Sequence, residues 1–207
     1  YKQRGIMTSA NNNRTYSDSG RKILESLDRS HVIYTMVIEH QLILEILSSL
    51  GQARKELKTI TEKDMDAERA KTILTLAHKV IGAETHHLRE EQALFPKMRE
   101  FGISGPANVM EMEHKAIRDY KRKLLKSAQE YENTPFKDYQ SHLDFFIGGL
   151  TQMLADHIHK ENDILYPMAL NTLSDPEIWL DMRKKCDAIG YCSFTPGFGI
   201  ELGKSDS

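Results

Sequence analysis

Apolar residues recur at steps of three and four along most of the chain, the spacing of a helix that buries one face. From residue 30 to about 57 the stripe reads Ile33, Met36, His40, Ile43, Leu47 and Leu50. A second runs Ile73, Leu76, Val80, Ala83, then His86 or His87, Glu90 and Leu94. Thr61 with Asp64 resembles a capping box at its start, and the glycines and proline of "EFGISGP" close it. A third, over about 106–132, carries Met110, His114, Ile117, Leu124, Ala128 and Tyr131. "NTP" at 133–135 interrupts it, with Pro135 suited to a first helical turn. The fourth reaches about 171, with Leu143, Phe146, Leu150, Leu154, His157, Glu161, Ile164 and Met168 in phase. "SDPEIWLDMRKKCDAIG" predicts a short fifth helix, capped by Ser174 or Asp175 and ended by Gly190.

Four long helices with short connections predict an all-α fold: an antiparallel up-down-up-down four-helix bundle with a short C-terminal helix and tail. The expected division is an N-terminal arm at 1–29, the bundle over 30–171, and the C-terminal helix and tail over 172–207. Placing the first connection at 51–61 leaves His40 and His86 at unequal heights, by about 10 Å at 1.5 Å per helical residue.

Polar residues interrupt the stripes at matching places. "MVIEHQLI" (36–43) and "MEMEHKAI" (110–117) both read Met-x-x-Glu-His-x-x-Ile. "HHLREEQALFP" (86–96) and "HIHKENDILYP" (157–167) both read His-x3-Glu-x3-Leu-(Phe/Tyr)-Pro. The offsets are 74 residues from His40 to His114 and 71 from His86 to His157, so 31–97 and 105–168 read as two copies of one helical hairpin. The repeat favours His86 over His87 as the partner of His157.

A histidine and a glutamate four apart share a helix face. Four such faces turned inward would gather His40, His86, His114 and His157 around Glu90 and Glu161. Each unpaired buried imidazole or carboxylate costs several kcal/mol, and a domain holds only about 5–15 kcal/mol of net stability. A metal supplies the compensation, and two carboxylates between two pairs of histidines suit a dinuclear site. Nitrogen and oxygen donors without thiolate fit iron, manganese or zinc. Glu39, Glu113 and Asp156 are candidates for holding the second imidazole nitrogens.

Composition narrows the setting. A chain of 207 residues, 40% apolar and 28% charged, fits one globular domain. A net charge of −2 gives no footprint for nucleic acid or an anionic membrane, and "RDYKRKLLK" on the third helix reads as a solvated face. No apolar run is expected to span a bilayer; the longest, around Phe145–Leu154, holds two glycines and polar residues. No secretory signal is visible. Cys186 and Cys192 lack Cys-x-x-Cys spacing, so the expectation is two inert thiols in a reducing cytoplasm.

With these motifs, residues 31–170 resemble the hemerythrin-like, histidine–histidine–glutamate (HHE) cation-binding family. The resemblance implies a non-haem di-iron centre in a four-helix bundle, two iron ions with an oxo or hydroxo bridge. His40 and His86 would serve one iron and His114 and His157 the other, with Glu90 and Glu161 bridging. The implied partner is a small diatomic ligand (O2 or NO) or peroxide. Oxygen-carrying hemerythrins use a fifth histidine one turn from another on the third helix, where this chain has Met110 and Arg118, and an aspartate where it has Asn162. Four histidines and two glutamates stand closer to di-iron proteins that repair iron–sulfur clusters. Those commonly carry a cysteine-bearing N-terminal domain, and residues 1–30 contain no cysteine. No nucleophile, general base or pocket for a larger substrate is legible. The alternatives are a structural bundle with partners docking on the Trp179–Gly199 tail, and a ferritin-like oxidase built on Glu84-x-x-His87 and Glu111-x-x-His114.

Overall fold

A computed structural model describes residues 18–197. It is an all-helical bundle, with no strand among the described residues. Helix α1 (Asp18–Ser26) lies in the segment expected to be an arm and buries Ile23; residues 1–17 fall outside the described part. Helix α2 (Val32–Thr59) starts where the His31 ring accepts a hydrogen bond from the Ile33 N–H at 3.2 Å. Every stripe residue predicted on α2 is buried.

The first connection falls later than its sequence suggests. Gly51 lies within α2, and the Thr61–Asp64 box caps only the 3-10 turn Glu62–Asp64. Helix α3 (Ala67–Ile81) is opened by Asp66, whose carboxylate accepts from the Arg69 N–H. His40 is thus 19 residues before Thr59 and His86 19 residues after Ala67, which removes the expected mismatch in height. Gly82 and Ala83 turn the chain out of α3 into α4 (Glu84–Arg89).

Next come α5 (Phe95–Glu100), α6 (Ser104–Gln129), α7 (Phe136–Lys160), α8 (Tyr166–Thr172) and α9 (Pro176–Ile189). Helix α2 packs on α3 and α7, and α6 packs on the same two. Helix α9, capped by Asp175 and ended by Gly190 at φ +94°, lies against α2 and α4.

Both repeated motifs contain a feature that a helical stripe does not anticipate. Glu90–Leu94 and Glu161–Leu165 are π turns, each running directly into an aromatic residue and a proline. Proline has no N–H and its ring crowds the carbonyl four residues back. The helix accommodates this by widening, and the Phe95 and Tyr166 N–H groups reach the carbonyls of Glu90 and Glu161. The extra residue shifts the phase beyond Glu161. Ile164, expected inside, is 53% exposed, and Leu165, Tyr166 and Ala169 fill the core instead.

The core has two apolar clusters. One is built around Ile43, Leu47, Ile73, Val80, Leu124, Leu143 and Leu150, and the other around Ile33, Met36, Leu94, Phe95, Met110, Leu165 and Tyr166. In α2, α6 and α7 the inward histidines sit where one cluster gives way to the other. Contrary to expectation, one helix is long and apolar enough to cross a membrane by length and composition: α2, with 56% of its most apolar window buried inside the fold. That buried face also carries Glu39 and His40.

Candidate metal centre

All six residues predicted from the repeat meet in one buried cluster. His40 comes from α2, His86 from α4, His114 from α6 and His157 from α7, while Glu90 and Glu161 open the two π turns. None is more than 1% exposed. One ligating atom each from His40, His86, Glu90 and Glu161 lie within 4.8 Å of one another, and so do those of Glu90, His114, His157 and Glu161.

The geometry within each half is informative. His40 Nε2 faces His86 Nε2 at 3.0 Å, and His114 Nε2 faces His157 Nε2 at 3.0 Å. Every Nδ1 is already committed: His40 to Asn162 Oδ1 at 2.9 Å, His86 to Glu39 at 2.7 Å, His114 to Glu91 and His157 to Glu113, both at 2.8 Å. A neutral imidazole that donates from Nδ1 presents a lone pair at Nε2. In that tautomer two lone pairs would face each other in each half, an arrangement that a cation between them would relieve.

The carboxylates span the two halves. Glu161 Oε2 is 3.1 Å from His40 Nε2, and its Oε1 is 2.9 Å from His157 Nε2. Glu90 Oε2 lies 3.5 Å from His86 Nε2 and 3.4 Å from His114 Nε2. The other Glu90 oxygen accepts from the Tyr166 hydroxyl at 2.7 Å. Glu90 Oε2 and both Glu161 oxygens are buried without a hydrogen-bond partner. Orphaned carboxylate oxygens of this kind are rare in folded proteins, and a bound cation would satisfy them. The donor set and its orphaned atoms fit a bound metal.

The outer layer repeats as the inner one does. Glu39 binds His86 and also Arg89; Glu113 binds His157 and also Lys160. In each copy the glutamate preceding one histidine orients the histidine on the hairpin's other arm, and a cation three residues after that histidine anchors the glutamate. Two of the three expected orienting acids, Glu39 and Glu113, therefore take that position. Asp156 does not: it is exposed and accepts from Gln152. Glu91 and Asn162 were not anticipated. The doubled "EE" of 90–91 was the signal for Glu91, and Asn162 follows Glu161 as Glu91 follows Glu90.

Protons and a metal compete for these sites. Burial alone would raise the Glu161 carboxyl, but the His157 charge and the close approach of the His114, His157 and His40 rings hold it well below its ordinary value. Burial opposes charge on His114, and the carboxylates of Glu161, Glu90 and Glu91 around it push it up to about 11. Glu39, likewise opposed by burial, is held down to about 2 by His86, Arg89 and Thr195.

His87 joins the cluster beside His86 and does not replace it. It is 1% exposed, its ring stacks on His114 at 4.0 Å, and a ligating atom from it lies within 4.8 Å of those of His114 and His157. Tyr166 and Phe95 wall the site, at ring distances of 5.4 Å from His40 and 5.6 Å from His114, whereas Phe146 packs in the other apolar cluster. Of the remaining histidines, His31 caps α2, and His78, His142 and His159 are exposed. Glu84 and Glu111, the acids of the ferritin-like alternative, bind Arg118 and Arg99.

Comparison with known families matches the hemerythrin HHE cation-binding domain over residues 24–169. The chain belongs to that family. Proteins named iron–sulfur cluster repair protein YtfE, from Escherichia coli (strain SE11), Escherichia coli (strain 55989 / EAEC) and Shigella boydii serotype 18, are each 31% identical over 127 residues. The match covers 58% of this chain and 55% of each relative, so the chain spans about half the length of the curated relatives it matches. The hemerythrin match contains all six clustered residues and both π turns, and it ends before α9.

Proposed function

We propose that the chain is a metal-binding protein whose centre holds two iron ions: His40 and His86 on one, His114 and His157 on the other, with Glu90 and Glu161 between them. The observation that carries this reading is the facing of Nε2 on Nε2 at 3.0 Å in both halves while every Nδ1 is occupied. Iron is favoured over manganese or zinc by the family and by relatives named for iron–sulfur cluster repair. The helix pairings support an antiparallel up-down-up-down bundle as its frame.

Such a centre, when loaded, supplies reversible electron transfer and positions for a small ligand, O2, NO or peroxide. The chain's own residues set its surroundings. Glu39, Glu91, Glu113 and Asn162 fix the imidazole tautomers, and Tyr166 steers Glu90 through its hydroxyl. Apolar clusters above and below exclude bulk water. Binding, sensing or reducing such a ligand under oxidative or nitrosative stress, in the service of iron-centre repair, is the function we infer. The two buried free thiols suit the reducing cytoplasm as its place.

The test is elemental analysis with visible spectroscopy after anaerobic iron loading. About two irons per chain are expected in the parent, with metal content and visible absorption lost in Glu90→Gln and His157→Ala. A parent chain that takes up no metal would leave the structural-bundle reading in its place. Zinc or manganese at that ratio, with iron refused, would remove the redox chemistry and keep the site.

A further inference from the structure

Two pairs of histidines leave one buried imidazole without a role. His87 is 1% exposed, and its Nδ1 is buried without a hydrogen-bond partner. Glu84 stands 3.9 Å from that nitrogen, beyond hydrogen-bonding distance, and is held by Arg118 at 2.6 Å. Packing does not require a histidine in this place. The repeat puts Ile158 at the equivalent position, 71 residues on, and Ile158 is buried in an apolar cluster. An imidazole here gives up the hydration of Nδ1 and receives no partner in return.

The helix sets the direction of the ring. Successive helical residues point about 100° apart, so α4 turns His86 towards His40 on α2 and His87 towards His114 on α6. The His87 ring lies 4.0 Å from that of His114, at 15° between planes, and 5.9 Å from that of His157. One ring nitrogen from each of the three falls within 4.8 Å of the others. Stacking on His114 occupies the face of the His87 ring and leaves its in-plane lone pair unmet.

We propose that His87 is a fifth imidazole ligand of the centre, joining His114 and His157 on one metal ion while His40 and His86 hold the other. Imidazole nitrogen suits iron as it suits the other transition metals this donor set could take. The two halves, alike in the repeat, then differ by one nitrogen donor that a single residue supplies. The assignment rests on the two-metal reading of the site.

The test is proton NMR of the chain loaded anaerobically with ferrous iron, with iron content recorded on the same sample. An imidazole bound through one nitrogen keeps an exchangeable N–H on the other, and the paramagnetic ion shifts that signal far outside the usual range. Five such signals, lost in D2O, are expected in the parent, and four in His87→Ile, which carries the side chain that the repeat has at 158. A second readout separates ligation from packing. Iron should raise the melting midpoint less in His87→Ile than in the parent, whereas the iron-free variant should melt no lower than the iron-free parent, its orphaned nitrogen being gone. Four signals from a parent that holds two irons, or an equal iron-induced rise in both chains, would overturn the proposal and leave the two-metal reading standing. A parent that takes up no iron would remove both.

Discussion

Replacing Glu39 with glutamine tests the outer layer where it is most deeply buried. Glu39 and Arg89 are both 0% exposed, and the same carboxylate accepts from His86 Nδ1 at 2.7 Å and from the Thr195 hydroxyl at 2.6 Å. Glutamine keeps the shape and one acceptor but leaves the guanidinium without a counter-charge. Breaking a buried pair in this way costs about 3–5 kcal/mol. A retained neutral hydrogen bond returns about 1 kcal/mol of that, so the expected loss is roughly 3 kcal/mol, a large share of a typical domain's stability. For a chain of this size that lowers the melting midpoint by roughly 6–12 °C. The assay is urea unfolding of the metal-free chain, followed by far-ultraviolet circular dichroism. Glu39→Gln combined with Arg89→Met is expected to recover most of the loss, because the stranded cation is gone. Iron affinity should fall about 10–100-fold in both, since His86 has lost its orienting carboxylate. A single variant as stable as the parent, or a double variant no better than the single, would refute the reasoning.

The π turn predicts a phase. Ile164→Lys should change stability by no more than about 0.5 kcal/mol, while Leu165→Ala costs about 2–5 kcal/mol; chemical denaturation of the two would show the reverse order if the helix were a regular α-helix. On α7, a Cβ added at Gly149 would lie 2.4 Å from Cε1 of Tyr120, so Gly149→Ala is expected to destabilise by about 1–3 kcal/mol through displacement of that ring. Melting curves at the parent's level would count against this packing. Acid should weaken the metal-free chain in a defined window: the Glu39 carboxyl, held down to about 2 against an ordinary 4.5, adds stability above 4.5 and loses it as pH falls towards 2. Lys121 has the same slope on the alkaline side, there as a penalty that is relieved. Burial lowers it to about 8 from 10.5, so its penalty is full below 8 and lifts as pH rises towards 10.5. Unfolding midpoints measured across both ranges are expected to rise with pH in each.

Most of the inner site was legible because the repeat writes it twice. His40 with His114, His86 with His157, and Glu90 with Glu161 sit at equivalent places in two hairpins, and helical spacing alone turns them inward. Periodicity failed where the backbone leaves the α-helix. It carried Ile164 and Met168 into the core because a stripe has no means of registering the extra residue that Pro167 forces. It placed the first connection at Gly51 because glycine often ends a helix, yet α2 continues through it to Thr59. Contacts between distant segments left the faintest trace: Thr195 on Glu39 and Asn162 on His40 join residues 156 and 122 positions apart. Lys121 stood inside a basic run whose composition resembles any solvated face, and only the packing of α6 against α3 takes it out of water.

Among the described residues, the C-terminal segment covers one copy of the repeat and not the other. Tyr191 lies over the Arg89 guanidinium at 4.6 Å and Thr195 closes on Glu39. The matching pair in the second copy, Glu113 and Lys160, keeps 26% and 37% of its side-chain surface in solvent. Two hairpins that are near twins in sequence thereby acquire a front and a back. His157 lies behind one partly exposed ion pair, whereas His86 lies behind a fold-over of chain that has no counterpart in the other half among the described residues. Duplication supplied two equal halves, and a few residues added after them are enough to make the halves unequal in how readily each exchanges with its surroundings.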